Sequence, residues 1–217
     1  MRWLWLAAVA AVALPGRAGT VAGRVELLEK GGRRAADVSD VVVYVDGPKT
    51  RHQPAKATIT MRGKEFRPRV AVVPTGGTVD FPNEDGVFHN VFSVSGENRF
   101  DLELYKKPQS RAFTFHHPGV VRVYCNIHPQ MSAVVIVRDN PYFTRAAADG
   151  SFSLAGVPAG KHTVKAWHER AGEVAAEVTV PEDGRVEAAA LSLDTTRFRR
   201  VQHKNKYGKE YPTGEKY

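Results

Sequence analysis

Residues 119–131 read GVVRVYCNIHPQM and hold the single cysteine of the 217-residue chain, Cys125. Apolar residues alternate along the first half of this stretch, which predicts a strand with Val123 and Cys125 on one face. Arg122 lies on the opposite face, so the thiol is expected to point into the core. Pro129 cannot donate a hydrogen bond to a strand ladder. The stretch therefore predicts a strand that ends at Cys125, followed by a tight loop.

This loop offers three ligands that a soft or borderline metal ion would accept. His128 and Met131 follow Cys125 by three and six positions, and a short loop would bring both side chains back over the thiolate. A fourth ligand has to come from elsewhere, and His89, at the start of a predicted strand, is the best candidate. Two histidines, one cysteine and a weak axial methionine form the ligand set of blue-copper electron-transfer sites. The alternative is a buried, inert cysteine.

Alternating and β-branched segments dominate the chain after residue 19, and none shows a convincing helical period. Turn signals rich in glycine and proline separate these segments. The sequence therefore predicts an all-β chain built from β-sandwiches. The predicted strands are Thr20–Leu28, Val41–Val45, Ala57–Met61, Arg69–Val73, Thr78–Phe81, His89–Ser93, Ala112–Phe115, Val120–Cys125, Ser132–Arg138, Ser151–Leu154, His162–His168, Val174–Val180 and Val186–Leu193.

The first 18 residues have the pattern of a secretory signal peptide. Arg2 supplies a positive start, Leu4–Leu14 is an apolar run, and Gly16 and Ala18 are the small residues of a cleavage site. The run is shorter than the roughly 20 residues that cross a bilayer. We therefore expect secretion into the periplasm, with no integral membrane span after cleavage. An uncleaved membrane anchor is the alternative.

The chain is basic, with a formal net charge of +8. Residues 197–217 contain seven Lys or Arg residues and two Glu residues. Such a tail could reach an acidic partner or an anionic membrane surface, although a solvated, disordered tail is the simpler expectation. No recognition motif accompanies this charge, so nucleic acid is not an expected partner.

Residues 56–138 resemble a cupredoxin, the blue-copper fold. The resemblance rests on residues 66–93, FRPRVAVVPTGGTVDFPNEDGVFHNVFS, and on the loop CNIHPQM, whose spacing is similar to that of amicyanin-type proteins. It implies a Greek-key β-sandwich and a one-electron carrier that is not an enzyme and has no catalytic residues. It also implies one type 1 copper ion per chain, with the ligands His89, Cys125, His128 and Met131.

The same resemblance assigns roles around the copper ligands. The backbone N–H of Asn90 would bond the cysteine sulfur, a contact that tunes the reduction potential. Electrons would leave through an apolar patch at the ring edge of His128, with Pro129 beside it. Gln130 stands where family members often carry an aromatic residue, which leaves the hydrophobicity of the patch open. The donor and acceptor would be redox proteins of unknown identity, one of which could have an acidic surface.

Residues 139–195 are similar to a carboxypeptidase-regulatory-like β-sandwich of the transthyretin type. The motif that carries this resemblance is ADGSFSLAGVPAGKHTVKAWHE, residues 148–169. Together the two resemblances are typical of bacterial methylamine-utilisation-like cupredoxin proteins. Residues 19–55 could either supply strands to this second sandwich or extend the first. The expected organisation is a signal peptide at 1–18, N-terminal strands at 19–55, a cupredoxin domain at 56–138, the second sandwich at 139–195 and a basic tail at 196–217.

Several other polar residues are expected to have no role in the chemistry. Glu84 and Asp85 are interpreted as solvated turn formers, and residues 101–107 as an exposed strand face. His52 and His203 lie in polar stretches and are expected to be exposed.

The same residues raise four rival functions, and two of them are excluded. A copper store would use these ligands without exchanging electrons, and a metal-free carbohydrate-binding or adhesion sandwich would not need the cysteine. A Cys-His hydrolase is excluded by context, because it needs an exposed thiolate at a helix N-terminus. Multicopper oxidases need more histidines than the eight in this chain.

Overall fold

The computed structural model describes residues 17–47, 50, 52–188, 190–199 and 202–211. Within these ranges the chain is all-β, as the sequence predicts, with two short 3-10 turns at Lys30–Gly32 and Gly96–Asn98. No helix in the described part of the chain is long and apolar enough to cross a bilayer. Most of the proposed signal peptide, residues 1–16, lies outside the described residues.

The strands are numbered here in chain order. They are β1 (Ala18–Leu28), β2 (Val42–Asp46), β3 (Lys56–Thr58), β4 (Thr60–Met61), β5 (Phe66–Arg67), β6 (Val70–Pro74), β7 (Gly77–Pro82), β8 (His89–Ser93), β9 (Phe100–Tyr105), β10 (Ser110–Phe115), β11 (Gly119–Tyr124), β12 (Ser132–Arg138), β13 (Phe143–Arg145), β14 (Ser151–Pro158), β15 (Gly160–His168), β16 (Gly172–Val180), β17 (Arg185–Glu187) and β18 (Leu191–Asp194).

Strands β3 to β12 form the first sandwich. Its larger sheet has the order β6-β12-β11-β8-β9, and β10-β7-β3 and the pair β4-β5 complete it. Burial alternates along β7, which has one face in the core and the other partly solvated, as a half-buried strand requires. Residues from the two sheets meet in one apolar core that contains Phe81, Val123, Cys125 and Met131.

The second sandwich combines strands from both ends of the described chain. Its sheets have the orders β14-β1-β17, with β18 also paired to β1, and β13-β2-β15-β16. Strands β1 and β2, from the N-terminal segment, therefore pair with strands that follow residue 142. The strands that precede the first sandwich in sequence complete a second apolar core, which includes Val43 and Leu193.

A third apolar cluster lies between the two sandwiches. Val134 and Ile136 of β12 pack there with Tyr44 of β2 and Trp167 of β15. Strand β12 thus has one face in the core of the first sandwich and the other against the second, which explains why all five central positions of this strand are buried. The strand pattern of β12 is a continuous apolar run for the same reason.

Some predicted strands differ in detail from the observed ones. The predicted strand Ala57–Met61 is divided, because β3 pairs in parallel with β7 whereas β4 pairs with β5. The predicted strand Val186–Leu193 is likewise divided into β17 and β18, which pair with successive parts of β1. Strands β5 and β13 were not among the predicted strands, whereas β9 covers most of residues 101–107, which the sequence predicts to be an exposed strand face.

The sheet order brings the predicted ligands to one edge. Strands β8 and β11 are antiparallel neighbours with Tyr124 opposite Phe92, so the chain that follows β11 runs toward the beginning of β8. His89 is the first residue of β8, and Cys125 is the first residue after β11. The prediction that the strand includes Cys125 is therefore wrong by one residue, but the inward orientation is confirmed because Cys125 is fully buried.

Candidate metal centre

The loop after β11 is closed by its own backbone. The N–H of Cys125 donates to the carbonyl of Met131 at 3.3 Å, and the N–H of Met131 donates to the carbonyl of His128 at 2.9 Å. Pro129 occupies the turn between them, where no ladder hydrogen bond is needed. These two bonds hold the side chains of the loop over the end of the strand.

Three donor atoms converge beneath this loop. The Nδ1 atoms of His89 and His128 lie 3.0 Å apart, and Nδ1 of His128 lies 3.6 Å from the sulfur of Cys125. One donor atom from each of the three residues lies within 4.8 Å of the other two. All three side chains are buried, with exposed fractions of 0% for His89 and Cys125 and 4% for His128.

These separations fit one shared metal ion. Imidazole nitrogen and thiolate sulfur bind metals such as zinc at about 2.0 to 2.3 Å, so two such atoms on one ion lie no more than about 4.5 Å apart. The 3.0 and 3.6 Å separations meet this condition directly. The third separation, between the sulfur of Cys125 and the ring nitrogen of His89, is at most 4.8 Å and needs no more than a few tenths of an ångström of adjustment. A thiolate with two imidazoles is also a donor set that copper and zinc prefer over calcium or magnesium.

Met131, the predicted axial ligand, lies in the same core. Its side chain is 1% exposed and belongs to the apolar cluster that contains Cys125. A buried thioether at the end of the loop that carries Cys125 and His128 is a group that can serve as a weak axial ligand.

The carboxylate of Asp85 orients His89, although the sequence predicts no role for it in the site. Oδ2 of Asp85 lies 2.8 Å from Nε2 of His89, although Asp85 was expected to be a solvated turn former. The backbone N–H groups of Gly63 and Lys64 donate to the two oxygens of the same carboxylate at 2.7 and 2.9 Å. Burial opposes ionisation of Asp85, but the hydrogen bonds from Lys64 and His89 outweigh it and lower the pKa of Asp85 below its ordinary value.

This contact fixes the tautomer of His89. An ionised carboxylate can only accept, so Nε2 of His89 carries a proton and Nδ1 is the ring nitrogen that faces His128 and is left to bind a metal ion. A carboxylate on the outer nitrogen of a histidine is a common support for a metal ligand. The i, i+4 spacing between Asp85 and His89 was the signal available in the sequence. Asn83 shapes the intervening turn by accepting from the N–H of Asp85 at 2.8 Å and donating to the carbonyl of Val87 at 3.0 Å.

The sulfur of Cys125 is surrounded by backbone donors. Burial raises the pKa of the thiol above its ordinary value, and hydrogen bonds from the backbone of Asn90, Ile127 and His128 act in the opposite direction. The cupredoxin resemblance predicts a contact of this kind from Asn90. A buried site with three donors aimed at sulfur is arranged for a thiolate, but the charge needs a cation to be stable there.

His128 differs from His89 in its environment. Burial, followed by the neighbouring charge of His89, lowers the pKa of His128 from 6.5 to about 4. Its imidazole is therefore neutral at pH 7, as a metal ligand must be. The Nε2 atom of His128 is buried and has no hydrogen-bond partner among the described residues.

The surroundings of the predicted exit patch are partly exposed and apolar. His128 itself contributes little surface, and Pro129 is half-buried. Phe88, directly before His89, is 49% exposed, and Leu104, opposite Asn90 in the ladder, is 49% exposed. The sequence analysis did not single out these two side chains, since an isolated apolar residue in a strand or turn gives no signal of exposure.

A cavity of about 1080 Å³ opens beside the loop. Its lining includes Pro129 and Gln130 of the loop. Glu169 in the lining pairs with two arginines, at 2.7 Å from Arg69 and 3.6 Å from Arg122. The lining is basic overall, because it holds four arginines against two carboxylates (Arg69, Arg122, Arg170 and Arg199; Asp40 and Glu169).

Part of the C-terminal tail packs against the loop, so the expectation of a wholly solvated tail is wrong for residues 202–211. The hydroxyl of Tyr211 donates to the carbonyl of Cys125 at 2.8 Å. His203, which was expected to be exposed, is half-buried and stacks on Tyr124 with ring centroids 3.9 Å apart. His52 is also half-buried rather than exposed, and its ring nitrogens lie 2.8 and 3.0 Å from the carbonyl oxygens of Thr50 and Thr75.

No protein-family model matches the chain, and no curated protein matches it. Several solved structures do, and they are cupredoxins. The purple cupredoxin from Nitrosopumilus maritimus is 25% identical, with 37% of this chain and 98% of that one covered and a TM-score of 0.34. Amicyanin from Paracoccus versutus is 28% identical over 38% of this chain and 80% of that one, with a TM-score of 0.36. A copper-containing nitrite reductase from Thermus scotoductus is 28% identical over 43% of this chain and 25% of that one, with a TM-score of 0.37. Because these TM-scores are below 0.5, the function of this chain is inferred below from its own residues.

Proposed function

We propose that the chain holds one copper ion through His89, Cys125 and His128, with Met131 as a weak axial ligand, and acts as a one-electron carrier. The observation that supports this most is the convergence of three buried donor atoms within 4.8 Å of one another. Coincidence explains this poorly, because the three side chains come from a loop and a strand 36 residues apart in sequence. Two imidazoles, a thiolate and a long thioether are the blue-copper ligand set.

The ion would supply a couple between Cu(II) and Cu(I), and the chain would supply a rigid, dry enclosure for it. Asp85 holds the His89 ring in one tautomer, and the closed loop fixes His128 relative to Cys125. Ligands held in this way move little when charge changes, which keeps the barrier to electron transfer low. The neutral state of His128 at pH 7 leaves its lone pair available.

The proposed electron exit runs through His128, whose ring is almost wholly covered, and its half-buried neighbour Pro129. The basic cavity beside Pro129 supports the proposal that one redox partner has an acidic surface, since opposite charge steers partners together. The part of the proposal that concerns export to the periplasm, through a signal peptide at residues 1–18, rests on the sequence pattern alone. The proposed resemblance of residues 139–195 to carboxypeptidase-regulatory-like sandwiches and the proposed domain boundaries at 56, 138 and 195 also rest on the sequence alone.

A Cu(II) titration of the metal-free protein tests this function. We expect one equivalent to bind and to produce an intense visible thiolate-to-copper band, with reversible one-electron voltammetry. A copper store would bind Cu(I) and stay colourless. Binding that is unchanged by Cys125→Ser would contradict the proposed site altogether.

A further inference from the structure

The C-terminal segment 202–211 contacts the backbone of Cys125 and both of its neighbours in the chain, Tyr124 and Asn126. We propose that this segment, called the strap here, is a positioning element of the metal centre, which reaches its final geometry only when the strap is docked. The inference rests on the proposed function of the site and adds to it a structural role for the basic tail.

The first contact is with the cysteine backbone. The hydroxyl of Tyr211 donates to the carbonyl of Cys125 at 2.8 Å. This carbonyl lies just beyond the end of β11, where the ladder no longer supplies a donor. A buried carbonyl without a partner is costly, so Tyr211 fixes the peptide plane that follows the sulfur-bearing residue.

The second contact is an aromatic stack on the preceding residue. The ring of His203 lies 3.9 Å from that of Tyr124, with an angle of 21° between their planes. Nδ1 of His203 lies 3.1 Å from the hydroxyl oxygen of Tyr211. The strap thus holds Tyr124 and Cys125, two consecutive residues, through two linked side chains.

The third contact is made by Lys206, which binds Asn126 and is linked to Asn90 through Asp101. Its backbone N–H donates to Oδ1 of Asn126 at 2.9 Å, and its ammonium lies 2.5 Å from Oδ2 of Asp101. Oδ1 of Asp101 accepts from the side-chain amide of Asn90 at 2.6 Å. Asn90 is the residue whose backbone donates to the sulfur of Cys125. The Lys206–Asp101 pair is largely shielded, with side chains 17% and 30% exposed, so solvent weakens it less than a surface pair.

The strap has a turn of its own, which lowers the entropic cost of docking. The N–H groups of Tyr207 and Lys209 both donate to Oδ1 of Asn205 at 3.0 Å. Gly208 has φ +73°, a conformation that favours glycine, and its N–H donates to the carbonyl of Asn205 at 2.9 Å. A preformed turn loses less chain entropy on binding than a flexible tail would.

Removing the strap should loosen the cysteine side of the centre while leaving the sandwich folded. The decisive variant is a chain that ends at residue 199, and Tyr211→Phe and Lys206→Met remove single contacts. Tyr207→Phe and Lys209→Met are matched controls, since the Tyr207 ring is 70% exposed and the Lys209 residue is exposed. The truncation should weaken Cu(II) binding about 10- to 100-fold, as the loss of outer partners of metal ligands does. Each single change should weaken it about three- to tenfold, and the controls should match the parent.

Two readouts separate positioning from general stability. In the metal-free protein, the rate at which a small aromatic disulfide reagent modifies Cys125 should rise at least about tenfold on truncation, because local opening becomes easier. In the copper-loaded protein, the visible band and the reduction potential should shift with Tyr211→Phe and not with Tyr207→Phe. The thermal unfolding midpoint of the metal-free protein should change little on truncation. If the strap only stabilised the fold, that midpoint should fall.

The outcomes distinguish this inference from the proposed function. Truncation that leaves both the thiol reaction rate and the Cu(II) affinity within twofold of the parent would overturn the strap proposal, whereas the copper site would stand. If the parent chain forms no cysteine-dependent copper complex, the proposed function fails, and the thiol reaction of the metal-free chain still decides whether the strap docks.

Discussion

The two histidines of the centre present the same atom to the same place but are held there in different ways. His89 begins a strand, and Asp85 bonds its outer nitrogen at 2.8 Å. His128 lies in a loop whose backbone is tied at Cys125 and Met131, and its outer nitrogen is buried without a partner among the described residues. One ring is positioned by a side chain and the other by the main chain.

This difference shows how each side of the site depends on the rest of the fold. The His89 side needs the turn at Gly63 and Lys64, because that turn holds Asp85 in place. The His128 side needs the short spacing within one loop and the strap that bonds to Cys125. Substitutions on the two sides should therefore have separable effects.

The largest expected effect comes from removing either ring. His89→Gln and His128→Gln should each weaken Cu(II) binding at least about 100-fold, because a strong neutral nitrogen donor is lost. His117→Gln is the matched control, since its side chain is 46% exposed and its Nδ1 lies 3.2 Å from a carboxylate oxygen of Glu97. Competition titration with a chelator measures the affinities. An unchanged affinity for either ligand variant would remove that ring from the site.

A smaller effect is expected from the carboxylate that holds only one ring. Asp85→Asn should weaken Cu(II) binding about 10- to 100-fold, and Glu84→Gln, a change at a neighbouring exposed carboxylate, should not. Because Asp85 acts through His89, adding Asp85→Asn to His89→Gln should cost little more than His89→Gln alone. Full additivity in that double-mutant cycle would contradict the positioning role of Asp85.

The pH dependence of the stability of the metal-free protein should report the protonation of the His128 ring. The lowered pKa of His128, about 4 against an ordinary 6.5, means that the unfolded metal-free chain takes up a proton first as the pH falls. The stability of the folded state should therefore be fully present above pH 6.5 and decrease as the pH falls from 6.5 towards 4. His128→Asn should flatten this part of the profile, measured by urea unfolding between pH 7 and 4.5. Identical slopes in parent and variant would show that His128 is not buried as a neutral ring.

The smallest effect on affinity is expected at the axial position. Met131→Leu conserves volume, so the metal-free protein should lose no more than about 1.5 kcal/mol of unfolding free energy. Copper should still bind within about tenfold of the parent affinity, because the thioether is a weak ligand. The reduction potential should nevertheless shift, since the axial ligand tunes it. A potential identical to that of the parent would exclude Met131 from the coordination sphere.

The two sides of the site also differ in how far the sequence predicts them. The His128 side is local: the alternation up to Cys125 sets the direction of the thiol, and the intervals of three and six residues place two ligands in one loop. The all-β class and the boundaries of β8 and β12 are also predictable from local patterns, which are alternation in many strands and a short apolar run bounded by turn residues in β12.

The remaining parts of the site depend on contacts that leave no local pattern. Asp85 resembles any polar turn residue until its distance from His89 is known. Lys206 and Tyr211 lie 80 and 86 residues from Asn126 and Cys125, which they contact, in a segment whose composition is typical of a solvated tail. The pairing of β1 with β14 and β18 also joins distant segments, and the sequence analysis left open which sandwich the N-terminal strands join.

X-ray absorption by the copper-loaded protein tests the central claim most directly, because it counts the atoms bound to the ion. The account predicts one sulfur and two imidazole nitrogens in the nearest shell, with the sulfur lost in Cys125→Ser and one imidazole lost in His89→Gln. A nearest shell made only of nitrogen and oxygen in the parent protein would contradict it.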